Sequence, residues 1–103
     1  MEKKIHILIS GKVQGVWYRA STQKKALSLG LYGWVRNLKD GRVEMVAQGE
    51  EAQLQALLDW CKQGPEFAKV KDIDVQWSQT LETLQGFDVR QTVSLDSISN
   101  SNK

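Results

Sequence analysis

The sequence predicts an α+β sandwich, with one mostly antiparallel sheet and two helices on one of its faces. Three observations carry that expectation. Runs rich in apolar, branched or aromatic residues recur at 5–9, 31–38, 42–48 and 70–77, and each reads as a strand. Two intervening segments place apolar residues at helical spacing. Turn residues mark the joints, with Gly30, Asp40-Gly41 and Gly64-Pro65 the clearest. The order is β-α-β-β-α-β plus a short fifth strand.

In the first strand Ile5, Ile7 and Ile9 alternate with His6, Leu8 and Ser10, leaving one strongly apolar face. A glycine-bearing stretch, Gly11 to Tyr18, leads into a helix expected over Arg19–Leu29. Its apolar face is modest, built from Tyr18, Thr22, Ala26 and Leu29, and Gly30 is placed to stop it. Leu31 to Leu38 is the second strand. Asp40-Gly41 signals a hairpin back into Arg42–Gln48, where Val43, Met45 and Ala47 share a face.

The second helix opens at Gly49-Glu50-Glu51, with acids at its positive end. Leu54, Leu57, Leu58 and Cys61 form its buried stripe, and Gly64-Pro65 ends it. Val70 to Trp77 alternates again, with Ile73, Val75 and Trp77 on one face. A polar linker, Ser78 to Gly86, precedes the short strand around Phe87 and Val89. From Thr92 onward Ser, Asn and Asp dominate, so a domain over 1–91 and a flexible tail over 92–103 are expected. There is no internal repeat.

The economical packing for this order is the ferredoxin-like split βαβ. A right-handed crossover leaves a gap between the first two strands, which run parallel, and the third strand fills it. Their carboxyl ends then lie on one edge of the sheet, roughly 10 Å apart. The glycine stretch leaves one of these ends and Asn37 sits at the other. By strand parity Asn37 shares the helix-covered face with Gly33 and Val35, where a polar side chain needs partners. A structural amide capping a loop is the competing reading of that position.

A loop entering a helix gathers free N–H groups and the positive end of the helix dipole, an anion site in waiting. Arg19, in the first helical turn, can add a planar fork of donors matched to phosphate oxygens. Taken alone, the stretch reads equally well as a plain strand-to-helix turn with a surface arginine.

Composition narrows the function classes. A chain of 103 residues with 41% apolar content is one ordinary globular domain. No apolar run approaches a membrane span, and no signal-peptide pattern opens the chain. One cysteine, Cys61, excludes an internal disulfide, so a reducing, cytoplasmic setting is the default. It falls on an apolar helix face, which argues for core rather than a reactive thiol.

With one histidine and one cysteine, the usual zinc sites cannot be built, and a hydrolytic triad would have to use His6 inside a strand. The net charge is +2, but residues 1–50 carry nine Lys/Arg against four Asp/Glu, a net of +5, and residues 51–103 carry five against eight, a net of −3. The basic half holds the candidate anion loop.

Two segments resemble a known family. Gly11-Lys12-Val13-Gln14-Gly15-Val16-Trp17-Tyr18-Arg19 resembles the first signature of the acylphosphatases without a departure. Gly33-Trp34-Val35-Arg36-Asn37, followed at the family's spacing by Gly41-Arg42-Val43 and Gly49, resembles the second. The resemblance covers about residues 4–91. It implies a ferredoxin-like fold and hydrolysis of the carboxyl–phosphate bond of acyl phosphates. It also implies that Arg19 binds the phosphoryl group and that Asn37 positions the attacking water. The loop amides of Gln14, Gly15, Val16, Trp17 and Tyr18 would hold phosphate oxygens.

No metal or organic cofactor is implied. The expected partners are a small acyl phosphate and inorganic phosphate, as product and competitor, with neither nucleic acid nor membrane. A monomer is expected, although the short last strand leaves a sheet edge through which a dimer stays open.

The residues themselves fit that chemistry. A carboxylate leaves readily without a protonating acid, and a loose phosphoryl-transfer transition state asks mainly for donors around the equatorial oxygens and an aligned water. Two other readings compete. RNA-recognition domains share this element order, but they stack bases on aromatic residues of the first and third strands, and here neither run contains one. Tyr32 and Trp34 lie on the second strand instead. The other reading is a domain that binds phosphate through the loop without turnover.

Overall fold

The computed structural model describes residues 1–79 and 81–94. Its elements are β1 (Glu2–Lys12), α1 (Tyr18–Ser28), β2 (Tyr32–Asn37), β3 (Val43–Glu50), α2 (Glu51–Cys61), β4 (Lys69–Ser78) and β5 (Phe87–Val89). They form the expected ferredoxin-like α+β sandwich, with the five strands in the order β4-β1-β3-β2-β5. β3 lies between β1 and β2 and pairs antiparallel with both, β4 pairs antiparallel with the outer side of β1, and β5 pairs parallel with β2.

The core follows from register. Ile5, Ile7 and Ile9 stand opposite Ala47, Met45 and Val43, so six apolar side chains project from one face and all are fully buried. Tyr18, Thr22 and Ala26 of α1 and the stripe Leu54, Leu57, Leu58 and Cys61 of α2 are buried against that face. Trp77 shares it by register with Ile5 but remains 43% exposed, because β4 is the sheet edge.

β1 is longer than its apolar run. Glu2 to Lys4 pair with Glu50 to Gln48, and beyond a bulge at Ser10/Gly11 the strand continues opposite Val70 and Lys69. Backbone pairing holds these polar ends, joined at the first by ion pairs of the N-terminus with Glu50 and of Lys3 with Glu51, so no apolar alternation announced them. α1 begins one residue earlier than expected, at Tyr18.

The other face of the sheet is polar and partly covered. Gln48 accepts from the Glu82 N–H at 2.9 Å and donates to the Glu82 carbonyl at 3.0 Å, and Lys4 pairs with the Glu82 carboxylate at 2.8 Å. The polar linker is thus clasped to β3. Glu44 lies between His6 (2.8 Å) and Arg36 (2.7 Å). Burial pushes its carboxyl up, but hydrogen bonds and charge from His6 and Arg36 outweigh that and hold it below the usual range. Trp34 has the Arg36 and Arg90 guanidiniums over its ring, 4.5 and 4.7 Å from the centroid.

Pairing beside β2 also runs past β5. The Val93 N–H donates to the Asn37 carbonyl at 3.2 Å, and the Lys39 N–H donates to the Val93 carbonyl at 3.0 Å. Of the expected tail, residues 95–103 lie outside the described residues. No helix among the described residues is long and apolar enough to cross a membrane.

One glycine of β2 tests this arrangement. Gly33 has φ +150°, and a Cβ there would lie 1.9 Å from the Val46 carbonyl oxygen on the paired strand. That neighbour is backbone in mid-sheet and cannot step aside. Gly33→Ala is expected to cost about 3 kcal/mol or more through strain and overpacking, a fall in Tm on the order of 15 °C. Gly86→Ala, at φ +64° with nothing within 4 Å of the new Cβ, is expected to cost only about 1 kcal/mol. Thermal melts of the two variants check the difference.

Candidate active site

The loop between β1 and α1 is anchored at several points. Val13 and Val16 are buried in the core. The Gln14 side chain donates from Nε2 to the carbonyls of Leu38 (2.7 Å) and Arg42 (2.9 Å), bracing the loop against the β2–β3 hairpin. Gly15 at φ +73° and Trp17 at φ +64° turn the backbone sharply on either side of Val16.

α1 then starts without help. Trp17 occupies the N-cap position, no side chain caps the helix, and no acid sits in its first turn. Sequence choice at such a position usually favours Ser, Thr, Asp or Asn, whose side chains would occupy the free N–H groups. Here the positive end of the helix is left open.

Tyr18 pins that helix start to the body of the protein. Its hydroxyl donates to the Cys61 carbonyl at 2.6 Å, its ring lies 5.6 Å from that of Trp60, and Gly64 leaves room for it, since a Cβ there would come within 2.7 Å of the ring. Burial, then Cys61, pushes the Tyr18 phenol far above its ordinary range, so it stays a hydrogen-bond donor. Burial likewise pushes the Cys61 thiol up to about 12, against a smaller opposing pull from Tyr18, so it is no nucleophile at neutral pH.

Arg19 follows in the first turn of α1, half-buried. Among the four arginines, Arg36 and Arg42 each pair with an acid and Arg90 sits over Trp34. Among the described residues Arg19 has no such partner. It faces a cleft of about 360 Å³ that it lines together with Gly15, Trp17, Tyr18 and Ala20. Asn37 lines the same cleft from the end of β2, with Val13 and Val89 completing the walls. The Asn37 Oδ1 is buried and has no hydrogen-bond partner among the described residues. The one other such side-chain oxygen among the described residues is Thr22 Oγ1, on α1.

The topology therefore brings Arg19 and Asn37, 18 positions apart, to one cleft with Gly15, Trp17 and Tyr18. Gln14 and Val16 do not line it with their side chains, since one braces the hairpin and the other joins the core. Val13, Ala20 and Val89 were not among the expected site residues; the first two flank the loop residues 14–18 and Arg19, and Val89 is the one distant in sequence. It lies on a three-residue strand whose parallel pairing with β2 has no local signature. His6 lies on the opposite sheet face, bound to Glu44. No group of three or more His, Cys, Asp or Glu among the described residues could hold a metal ion.

A ferredoxin-like sandwich whose helix start, an arginine and a buried amide oxygen, neither with a partner among the described residues, meet at one cleft defines a small α+β domain. The acylphosphatase family model matches residues 5–89. An acylphosphatase from Marinobacter nauticus is 65% identical over 71 residues, covering 69% of this chain and 77% of that protein. One from Haloarcula marismortui is 46% identical over 87 residues, covering 84% and 94%. The crystal structure of the Bacillus subtilis acylphosphatase superposes with a TM-score of 0.84 at 41% identity, covering 85% of this chain and 98% of that one. The chain belongs to the acylphosphatase family of hydrolases. The resemblance carried by the two signatures is thereby borne out.

Proposed function

We propose that the chain hydrolyses the carboxyl–phosphate bond of acyl phosphates by direct attack of water at phosphorus. The observation that carries this reading is the shared cleft, lined by an arginine without an acid partner and by an asparagine whose Oδ1 has no partner among the described residues. Arg19 and the loop amides of residues 14–18 bind the phosphoryl oxygens and neutralise the charge that spreads over them in the transition state. The buried Asn37 Oδ1 accepts a hydrogen bond from the attacking water and aligns it with phosphorus.

The water oxygen forms the new P–O bond as the bond from phosphorus to the carboxyl oxygen breaks, and its electron pair leaves with the carboxylate. An amide is no base, so the proton of the water passes to a phosphoryl oxygen. The cleft walls carry no carboxylate, imidazole or thiol, and no covalent intermediate enters the scheme.

Benzoyl phosphate tests this reading. Hydrolysis is expected with and without chelator, and in ¹⁸O-water the label is expected in phosphate. Label in benzoate would move the attack to the carbonyl carbon, and loss of activity with chelator would overturn the metal-free scheme. Inorganic phosphate is expected to compete with substrate and to shift the amide resonances of Gly15 to Arg19 more than those of α2. A titration in which the loop amides stay still while others move would remove the loop from the phosphate site.

A further inference from the structure

The cleft is not wholly polar. Val13, Trp17 and Val89 wall it beside Arg19 and Asn37. Val13 belongs to the core, but Trp17 is 78% exposed and Val89 41% exposed. Single exposed apolar residues are ordinary on protein surfaces. Trp17 differs in its backbone. At φ +64°, ψ +22° it is the one non-glycine residue with positive φ among the described residues. An aromatic residue in the left-handed region is strained, and glycine would hold the same turn without that cost. So large a ring, strained and yet left in solvent, adds little to the packing of the free protein. Strain of this kind gathers where a site needs a side chain in a set direction.

Charge narrows the ligand further. Arg19 is the one charged side chain in the cleft walls, and in the reading above the phosphoryl group takes it up. A second anion on the acyl part of a substrate would find no cation there.

We infer that Trp17 and Val89 form an acyl subsite that selects uncharged, apolar acyl groups, with flat aromatic ones favoured. This inference rests on the acyl phosphate reading above. The indole presents a face on which an aromatic acyl group stacks, and Val89, lining the same cleft, adds a second apolar contact. The phosphoryl end stays with Arg19 and the loop amides. Burial of the acyl group on these two side chains raises kcat/KM through binding energy remote from the bond that breaks.

The test compares benzoyl phosphate with acetyl phosphate, each rate divided by its uncatalysed rate. Wild type is expected to prefer the benzoyl group by about 10- to 100-fold. In Trp17→Gly that preference is expected to fall by about tenfold or more. Glycine holds the left-handed backbone and has no side chain to cap the open helix start, so the loop keeps its path and its free N–H groups. Val89→Ala, which changes no loop residue, is expected to lower the preference about threefold. Phenylphosphonate and methylphosphonate give the same comparison by binding alone, and phosphonoacetate, with its second anion, is expected to bind no better than methylphosphonate.

Unchanged benzoyl-to-acetyl and phenyl-to-methyl ratios in both variants would overturn the subsite. Tighter binding of phosphonoacetate would overturn its preference for uncharged groups. If wild type hydrolyses neither acyl phosphate, the parent reading falls, while the phosphonate ratios still decide whether Trp17 selects an apolar group.

Discussion

Replacing Arg19 by lysine is expected to lower kcat/KM for an acyl phosphate by about 100-fold or more while leaving the fold intact. The charge is kept, so the loss isolates geometry. A guanidinium presents paired donors in a plane and can meet two phosphoryl oxygens together, whereas an ammonium is a strongly hydrated point charge. Arg19 has no internal acid partner among the described residues, so its substitution breaks no ion pair of the free protein. The melting temperature is therefore expected to stay within a few degrees, and inhibition by inorganic phosphate is expected to weaken in step with kcat/KM. A lysine variant with near-wild-type KM and turnover would show that Arg19 is not the phosphate ligand.

Asn37 is expected to give the complementary pattern. Asn37→Ala should lower kcat by about a thousandfold and leave phosphate affinity nearly unchanged, because in the proposed mechanism the amide meets the nucleophile rather than the anion. The stability side of this prediction comes from the structure. Asn37 Oδ1 is buried without a partner among the described residues, so truncation removes no hydrogen bond to that oxygen and relieves an unsatisfied group. An amide that merely capped a loop would predict the opposite, with stability and activity falling together.

Asn37→Asp sharpens the test. It is nearly isosteric and could accept a proton from water, but when ionised it sets a negative charge beside the phosphoryl dianion. The aspartate variant is expected to be poor, and poorer as pH rises and the carboxyl ionises. A variant faster than wild type near neutral pH would mean that the site lacks only a base. An alanine variant that is destabilised yet turns over normally while folded would remove Asn37 from the mechanism. Turnover, phosphate inhibition and melting temperature, measured on both variants, separate these outcomes.

Much of this was legible before any coordinates. Ile5, Ile7 and Ile9 alternate because every second residue of a strand meets the core, and Leu54, Leu57, Leu58 and Cys61 recur because a helix turns every 3.6 residues. Such periodicity is local, so it survives in the one-dimensional string. The crossover rule then set Asn37 and the glycine loop on one sheet edge, and the strand order β4-β1-β3-β2-β5 agrees. Two long motifs at a fixed separation pointed to the family, and the family model matching residues 5–89 agrees.

What only the tertiary structure decided has partners far away along the chain. Gln14 looked like one more residue of the anion loop, yet its side chain braces carbonyls 24 and 28 residues on. Glu82, in a linker that composition marks as plain polar loop, is held by Gln48, 34 residues back. Val89 enters the cleft through three residues of parallel pairing, too short to show a period. The left-handed backbone at Trp17 runs against the preference of its own residue type, so no propensity could announce it. Periodicity reports which side of an element meets the core. Which groups meet across the sheet, and which buried oxygen is left without a partner, depends on how distant segments close on one another in three dimensions.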